Sequence, residues 1–271
     1  DDSRKVDLLL ALGDLSESQL ASTAKAIEAY QAAADLDADS DDALAALERL
    51  YRQGERWANL AKVLERRAEV CEHQGDAGRA AALRHELGTL RAEKLGDLEG
   101  AISRHEQALT KNGADVVALR ALVDLYDKTG RTDDYLRSLE RLGQVGPAGE
   151  RPATLRKLAA ELADRDGAAA RAKAAYEQLL ALEPSADDAF RGLERLLREQ
   201  AQWYELVAVL EKHVAAAKSP TQRVELYLEA GHVHEKELSD PHRAIDAHLE
   251  ALALDDGNKQ ALSALARMYQ R

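Results

Sequence analysis

The sequence predicts an all-α solenoid of about seven and a half helix-turn-helix repeats, and two interleaved series of residues support this prediction. The first series is a ten-residue pattern rich in alanine, leucine and arginine, which usually ends in tyrosine. It begins at residues 42, 117, 188 and 260, which are 75, 71 and 72 residues apart. A period this regular is typical of stacked repeat units and disfavours a single globular core.

The second series consists of small residues with the same separations of 75, 71 and 72. Its members are Gly13, Gly88, Ala159 and Gly231. Each is followed thirteen residues later by an alanine, at positions 26, 101, 172 and 244. Small residues at both places indicate two helices whose backbones approach closely. Together the two series divide each long period into two units of about 36 residues, near the length of a known two-helix repeat.

Apolar spacing and capping residues place the individual helices. A helix beginning at Trp57 carries Leu60, Val63, Leu64 and Ala68 on one face, and a helix beginning at Trp203 carries Leu206, Val209, Leu210 and Val214 at the same spacing. We interpret both tryptophans as packing residues at the joint between helices, with contact to a partner as the alternative. Helix starts are also predicted after a set of capping residues, namely Ser40, Asp97, Asp115, Ser185, Asp240 and Asn258.

The stretch at residues 143–152 is the one irregular segment of the pattern. It contains three glycines and two prolines and is predicted to be a loop. Two interpretations stay open: a slightly long turn between repeats, or a hinge. We otherwise expect one solenoid domain over residues 1–271. Because the chain begins at Asp1 without a methionine and ends within a predicted helix, we expect it to be a fragment of a longer protein.

These residues resemble the tetratricopeptide repeat (TPR). Leu12-Gly13 and Leu87-Gly88 are similar to the Leu-Gly of its first helix, and Gly130 is similar to its central turn glycine. Further likenesses are the second-helix pairs Ala26-Ile27, Ala101-Ile102 and Ala244-Ile245, the large residues Tyr30 and Tyr176, and the terminal Pro184. The resemblance covers nearly the whole chain and implies a right-handed superhelix of about fifteen helices. The chain departs from the pattern at His105 and His248, where a large apolar residue is usual.

Composition limits the possible functions. The net charge is −12, aromatic residues make up 4% of the chain, and no polybasic run or long apolar stretch is present. These features disfavour nucleic-acid binding and membrane insertion. Cys71 is the only cysteine, so no internal disulfide forms. A cytoplasmic location is expected, and the abundance of alanine and arginine over lysine favours a bacterial source.

No pattern of catalytic or metal-binding residues is visible. His232 and His234 are two positions apart on a predicted helix, so with His242 they do not converge on one point. No phosphate-binding loop or nucleophile motif occurs. We therefore expect no enzyme activity, no cofactor and no metal site.

The resemblance also implies that the first helix of each unit lines a concave groove that binds a partner. Two positions one turn apart in these helices, together with Lys128 one turn beyond the second, define the candidate groove residues. They are Arg49, His85, Arg120, Asp124, Lys128, Arg156, Arg191 and Arg195. The middle of the predicted groove thus carries a basic track, which would suit an acidic peptide because guanidinium groups bind carboxylates with two hydrogen bonds.

The alternative for this track is ordinary surface pairing, in which nearby acids such as Asp124 neutralise the arginines and Glu194 pairs with Arg198. Some members of the family bind a terminal carboxylate with Lys and Asn, and the asparagine is missing here.

The predicted function is a non-catalytic scaffold that binds a protein or peptide in its groove. A self-assembling module is the first alternative, through helix faces such as Leu262, Leu265 and Met268. An RNA-binding helical repeat is a minor one.

Overall fold

The computed structural model describes residues 2–270, and within them it contains fifteen α-helices and no strand. Contacts between helices divide the chain into two compact units, with the boundary after Arg141. Consecutive helices within residues 2–129 and within residues 151–269 are joined by short turns and pack against one another. The all-α, tandem-helix fold predicted from the two residue series is therefore confirmed.

The first unit contains the helices up to α7 and most of α8. Their bounds are α1 Asp2–Ser18, α2 Thr23–Leu36, α3 Asp41–Gln53, α4 Trp57–His73, α5 Ala77–Glu93, α6 Leu98–Lys111, α7 Val116–Thr129 and α8 Thr132–Val145. The leucines predicted to face inwards from α4 are buried, with Leu60 and Leu64 at most 1% exposed.

The second unit contains the remaining helices. Their bounds are α9 Arg151–Ala163, α10 Ala169–Leu182, α11 Asp187–Glu199, α12 Trp203–Ala216, α13 Pro220–Lys236, α14 Pro241–Leu254 and α15 Lys259–Tyr269. Leu206 and Leu210 of α12 are buried, as the spacing predicts, whereas Val209 is only half-buried. On α15, Leu262 is exposed but Leu265 is buried, so the predicted uncovered stripe is only partly uncovered.

The predicted close approach of helices at the small residues is confirmed. A Cβ atom placed on Gly13 would lie 2.4 Å from the ring of Tyr30, and one on Gly88 would lie 2.5 Å from the ring of His105. Gly231 stands in the same relation to His248, at 2.7 Å. A side chain at these positions would collide with a ring on the second helix of the pair, which explains why glycine recurs there.

Most predicted caps are observed. The side chains of Asp97, Asp115, Asp240 and Asn258 each accept a hydrogen bond from the backbone N–H three residues later. Ser40 occupies the cap position of α3 without such a bond. The prediction for Ser185 was wrong by one residue, because Ala186 is the N-cap of α11.

The irregular segment is shorter than predicted. Helix α8 continues to Val145 and α9 begins at Arg151, so only residues 146–150 lie between them. Pro152 is compatible with the first turn of a helix, where its missing N–H has no helical partner. The side chain of Arg151 donates from Nε to the carbonyl oxygen of Gly143 at 2.9 Å and joins the two ends of the loop.

Candidate partner-binding surface

The predicted groove residues lie on the first helix of each pair, and at least four of the eight contact an acid on or at the end of the neighbouring first helix. In the first unit, Arg49 of α3 donates two hydrogen bonds to Glu17 of α1, at 2.7 and 2.6 Å. This contact lowers the pKa of Glu17, mainly through the hydrogen bonds from Arg49. The sequence reasoning did not identify Glu17 as the partner.

His85 of α5 is largely withdrawn from the surface. Its Nε2 lies 2.9 Å from a carboxylate oxygen of Asp115, the N-cap of α7, and its ring stacks on His105 with centroids 5.6 Å apart. Both side chains of the pair with Asp115 are mostly buried. His85 therefore contributes to packing between helices more than to an accessible groove.

Three candidates share the exposed face of α7. Arg120, Asp124 and Lys128 are four residues apart in sequence and are all exposed. Spacing of this kind puts side chains on one face of a helix. The acid between the two bases interrupts the positive charge that the sequence analysis expected here.

The second unit brings Arg156, Arg191 and Arg195 together on α9 and α11. Arg156 binds Asp188 and also Glu183, the latter at 2.8 Å. Arg195 binds Asp164 at 3.1 Å. Arg156 on α9 thus binds an acid of α11, and Arg195 on α11 binds an acid at the end of α9. These arginines therefore lie on one continuous face of the two helices.

Arg191 is paired within its own helix, with Asp187 at 2.8 Å. It lines a cavity of about 450 Å³ beside Lys218, Ser219 and Gln222. The side chains of Arg156, Arg191 and Arg195 remain 42, 66 and 52% exposed despite their ion pairs. They are thus accessible cations, but none is free of a carboxylate.

Pairing between neighbouring first helices is a general feature that the sequence analysis missed. Its members are separated by 31–34 residues in sequence, about one repeat unit. Besides Arg49 with Glu17, they include Arg52 with Glu86, Arg198 with Glu229, and Arg267 with Glu235. The expected pair of Glu194 with Arg198 is replaced by these contacts, because Glu194 turns inwards and binds His213. A search for opposite charges one repeat apart would have found the pattern.

The other sequence predictions for this region concern chemistry. His232 and His242 are exposed whereas His234 is buried, so the three do not form a cluster. Within residues 2–270, no group of three or more His, Cys, Asp and Glu side chains is arranged to hold a metal ion. In the same part of the chain, every helix is too short or too polar to cross a membrane.

Comparison with known protein families gives one match, which covers part of the chain. Residues 43–78, which include α4 and most of α3, match the tetratricopeptide repeat family. This match covers 36 of the 271 residues, and the same glycine-to-ring contact recurs in both units of the chain. No curated protein gives a match.

Solved structures with similar folds include a TPR protein from Cytophaga hutchinsonii, at 17% identity and a TM-score of 0.41, covering 97% of this chain and 98% of that one. A tetratricopeptide repeat protein from Parabacteroides merdae has 14% identity and a TM-score of 0.39, covering 98% and 99%. YrrB, described as a TPR protein with an unusual peptide-binding site, has 14% identity and a TM-score of 0.37, covering 73% and 96%.

Proposed function

We propose that this chain is a non-catalytic scaffold that binds an acidic segment of a partner protein on the first-helix face of α9 and α11. The observation that carries the proposal is the arrangement of Arg156, Arg191 and Arg195, which share that face and stay about half exposed. Guanidinium groups held in this way present several hydrogen-bond donors to an incoming carboxylate.

The existing ion pairs do not prevent such binding. Exposed ion pairs contribute only about 0–1 kcal/mol each, because water competes for both partners. A partner carboxylate can therefore take the place of Asp164 or Asp188 at little cost. Selection among partners would come from shape and from the alternation of charges along the face, with modest affinity per contact.

The test compares two triple variants with the same change in charge. In the first, Arg156, Arg191 and Arg195 are replaced by alanine; in the control, the exposed Arg4, Arg137 and Arg243 are replaced instead. Each is used as bait in an affinity capture from source lysate, followed by mass spectrometry and by measurement of the affinity of any captured protein. A protein lost only with the first variant supports the proposal, and equal retention by both variants contradicts it.

Self-association is a second candidate function, favoured by the outer face of α1. Leu8, Leu12 and Leu15 recur at helical spacing and are 67, 49 and 48% exposed. An apolar stripe of this kind commonly marks an interaction site. Sedimentation across a concentration series, with Leu8→Gln/Leu12→Gln as the comparison, tests it: a mass that rises with concentration only in the unsubstituted chain supports self-association. The alternative of RNA binding gains no support, since the arginines on the first-helix face of α9 and α11 are paired with acids.

A further inference from the structure

A groove recurs three times along the chain, each time between the second helix of one pair and both helices of the next. The first lies between α2, α3 and α4, the second between α6, α7 and α8, and the third between α10, α11 and α12. Their volumes are about 240, 430 and 510 Å³. We name them the first, second and third groove. They are distinct from the face discussed above, because Arg156, Arg191 and Arg195 line none of them.

The first and second grooves are each occupied by an arginine of the chain itself. Arg66 of α4 donates to the backbone carbonyl oxygens of Ala34 and Ala38, the latter at 3.2 Å. Arg141 of α8 donates to the carbonyl oxygen of Gly113 at 2.5 Å. These carbonyls lie at the C-terminal ends of α2 and α6, where the helix dipole attracts a cation.

In each of these two grooves, a tyrosine hydroxyl forms a further hydrogen bond within the chain. The hydroxyl of Tyr126 donates to Glu106 at 2.7 Å, and the hydroxyl of Tyr51 lies 2.7 Å from Nε2 of Gln31, which donates to it. The arginine and the tyrosine hydroxyl of each of these two grooves are therefore hydrogen-bonded within the chain.

The third groove lacks both closing residues. The position of Arg66 and Arg141 is taken by Lys212, and the position of the two tyrosines by Leu197. Glu177 stands where Gln31 and Glu106 stand in the other grooves. Within residues 2–270, neither Glu177 nor Lys212 forms a hydrogen bond or an ion pair with another side chain. Lys212 is exposed, in keeping with the strong hydration of an ammonium group.

Backbone acceptors are also left open in the third groove. The residues equivalent to Ala34 and Ala38 are Leu180 and Pro184, which line this groove. Proline has no N–H, so the carbonyl of Leu180 lacks the donor that would normally follow four residues later in a helix. In the described part of the chain, no side chain donates to the carbonyl oxygen of either residue.

We infer that the third groove binds an arginine side chain presented by a partner protein. Its guanidinium would donate to the carbonyl oxygens of Leu180 and Pro184 and to the carboxylate of Glu177. Its alkyl stem would pack on Phe190, Leu193 and Val209, as arginine stems commonly do on apolar surfaces. The net charge of −12 adds a general attraction for a basic partner.

The probe for the test is the capped tripeptide acetyl-Leu-Arg-Leu-amide, with acetyl-Leu-citrulline-Leu-amide as a neutral control of nearly the same shape. Each is titrated into the full chain while methyl NMR signals of Leu180, Leu193 and Val209 are followed. We expect saturable shifts with the arginine peptide and binding at least about fivefold weaker with citrulline. Equal affinity for both peptides, or no saturable shift, would overturn the inference.

Two substitutions keep the test independent of folding. Lys212→Arg introduces the arginine that the other two grooves have at this position, and it is expected to abolish binding. Lys259→Arg makes the same change at an exposed position elsewhere in the unit and is expected to leave binding unchanged. Glu177→Gln is expected to weaken binding about threefold or more. Circular dichroism checks that each variant is folded, and unchanged binding by a folded Lys212→Arg variant would contradict the inference.

Discussion

His213 occupies in the second unit the place that Arg67 occupies in the first. Arg67 binds Asp41 at 2.9 Å and also Glu48, and His213 places Nε2 at 2.9 Å from Asp187 and Nδ1 at 2.7 Å from Glu194. Each residue of the second set lies 146 residues after its counterpart in the first set. Both ring nitrogens of His213 thus face carboxylates, and its ring also stacks on Phe190 with centroids 4.5 Å apart.

We predict that His213→Ala destabilises the second unit by about 3 kcal/mol, because Glu194 is then buried without its partner. Arg67→Ala is expected to cost the first unit less, because Glu48 keeps its hydrogen bond from Arg52 at 3.0 Å. Trp57 and Trp203 report on the two units separately, since each unit contains one tryptophan. Denaturant unfolding followed by fluorescence in Trp57→Phe and Trp203→Phe backgrounds measures the loss. Arg137→Ala, at an exposed position, serves as the control with little expected change. A loss as small as that of the control would show that Glu48 and Glu194 do not depend on Arg67 and His213 as partners.

Acid is predicted to destabilise the fold before the carboxylates titrate. Burial, with a smaller contribution from His85, lowers the pKa of His105 to about 4, and burial also lowers the pKa of His234 and His248. These rings stay neutral when folded but bind protons when unfolded. The free energy of unfolding is therefore highest above about pH 6.5, the pKa of these histidines in the unfolded chain. It decreases as the pH falls from there towards 4.

His105→Phe tests this pH dependence. Phenylalanine keeps a ring against Gly88 but removes one titrating group, so we expect a shallower fall of the unfolding free energy between about pH 6.5 and 4. The measurement is denaturant unfolding at several pH values. An identical slope in the variant and the unsubstituted chain would contradict the prediction.

Two glycines of α5 provide a matched pair for the close approach of helices. Gly88→Ala would place its Cβ 2.5 Å from the His105 ring, whereas Gly78→Ala would meet nothing closer than a carboxylate oxygen of Asp76 at 3.7 Å. Alanine gains about 1 kcal/mol in helix propensity at Gly88, in the helix interior, and less at Gly78, the second residue of α5. The collision at Gly88 is expected to exceed this gain and give a net loss of about 1–2 kcal/mol. Thermal unfolding of the two variants compares them, and equal stabilities would contradict the packing role of Gly88.

Gly130 is predicted to be needed for its backbone conformation alone. It ends α7 with a φ of 69°, and no atom lies within 4 Å of the place where a Cβ would be. Gly130→Ala should therefore cost about 1 kcal/mol through backbone strain, and Gly130→Asn less, since asparagine tolerates the left-handed region. Denaturant midpoints of the two variants test this order.

The sequence by itself determined the helices and much of their packing. Repeated glycines opposite Tyr30, His105 and His248 indicated close helix pairs, and apolar spacing identified buried residues such as Leu60 and Leu210, because both patterns follow from the geometry of a single helix. Individual capping bonds were predictable for the same local reason, as at Asp115.

Tertiary structure decided which charges meet. The local rule of four-residue spacing suggested Glu194 with Arg198, but packing buries Glu194 against His213 and leaves Arg198 to bind Glu229 on the next first helix. Of the arginines expected to form an open basic track, Arg49, Arg156 and Arg195 are likewise held by acids about one repeat away. Ion pairs of this kind depend on the distance between neighbouring helices, which a side-chain pattern along one helix does not contain.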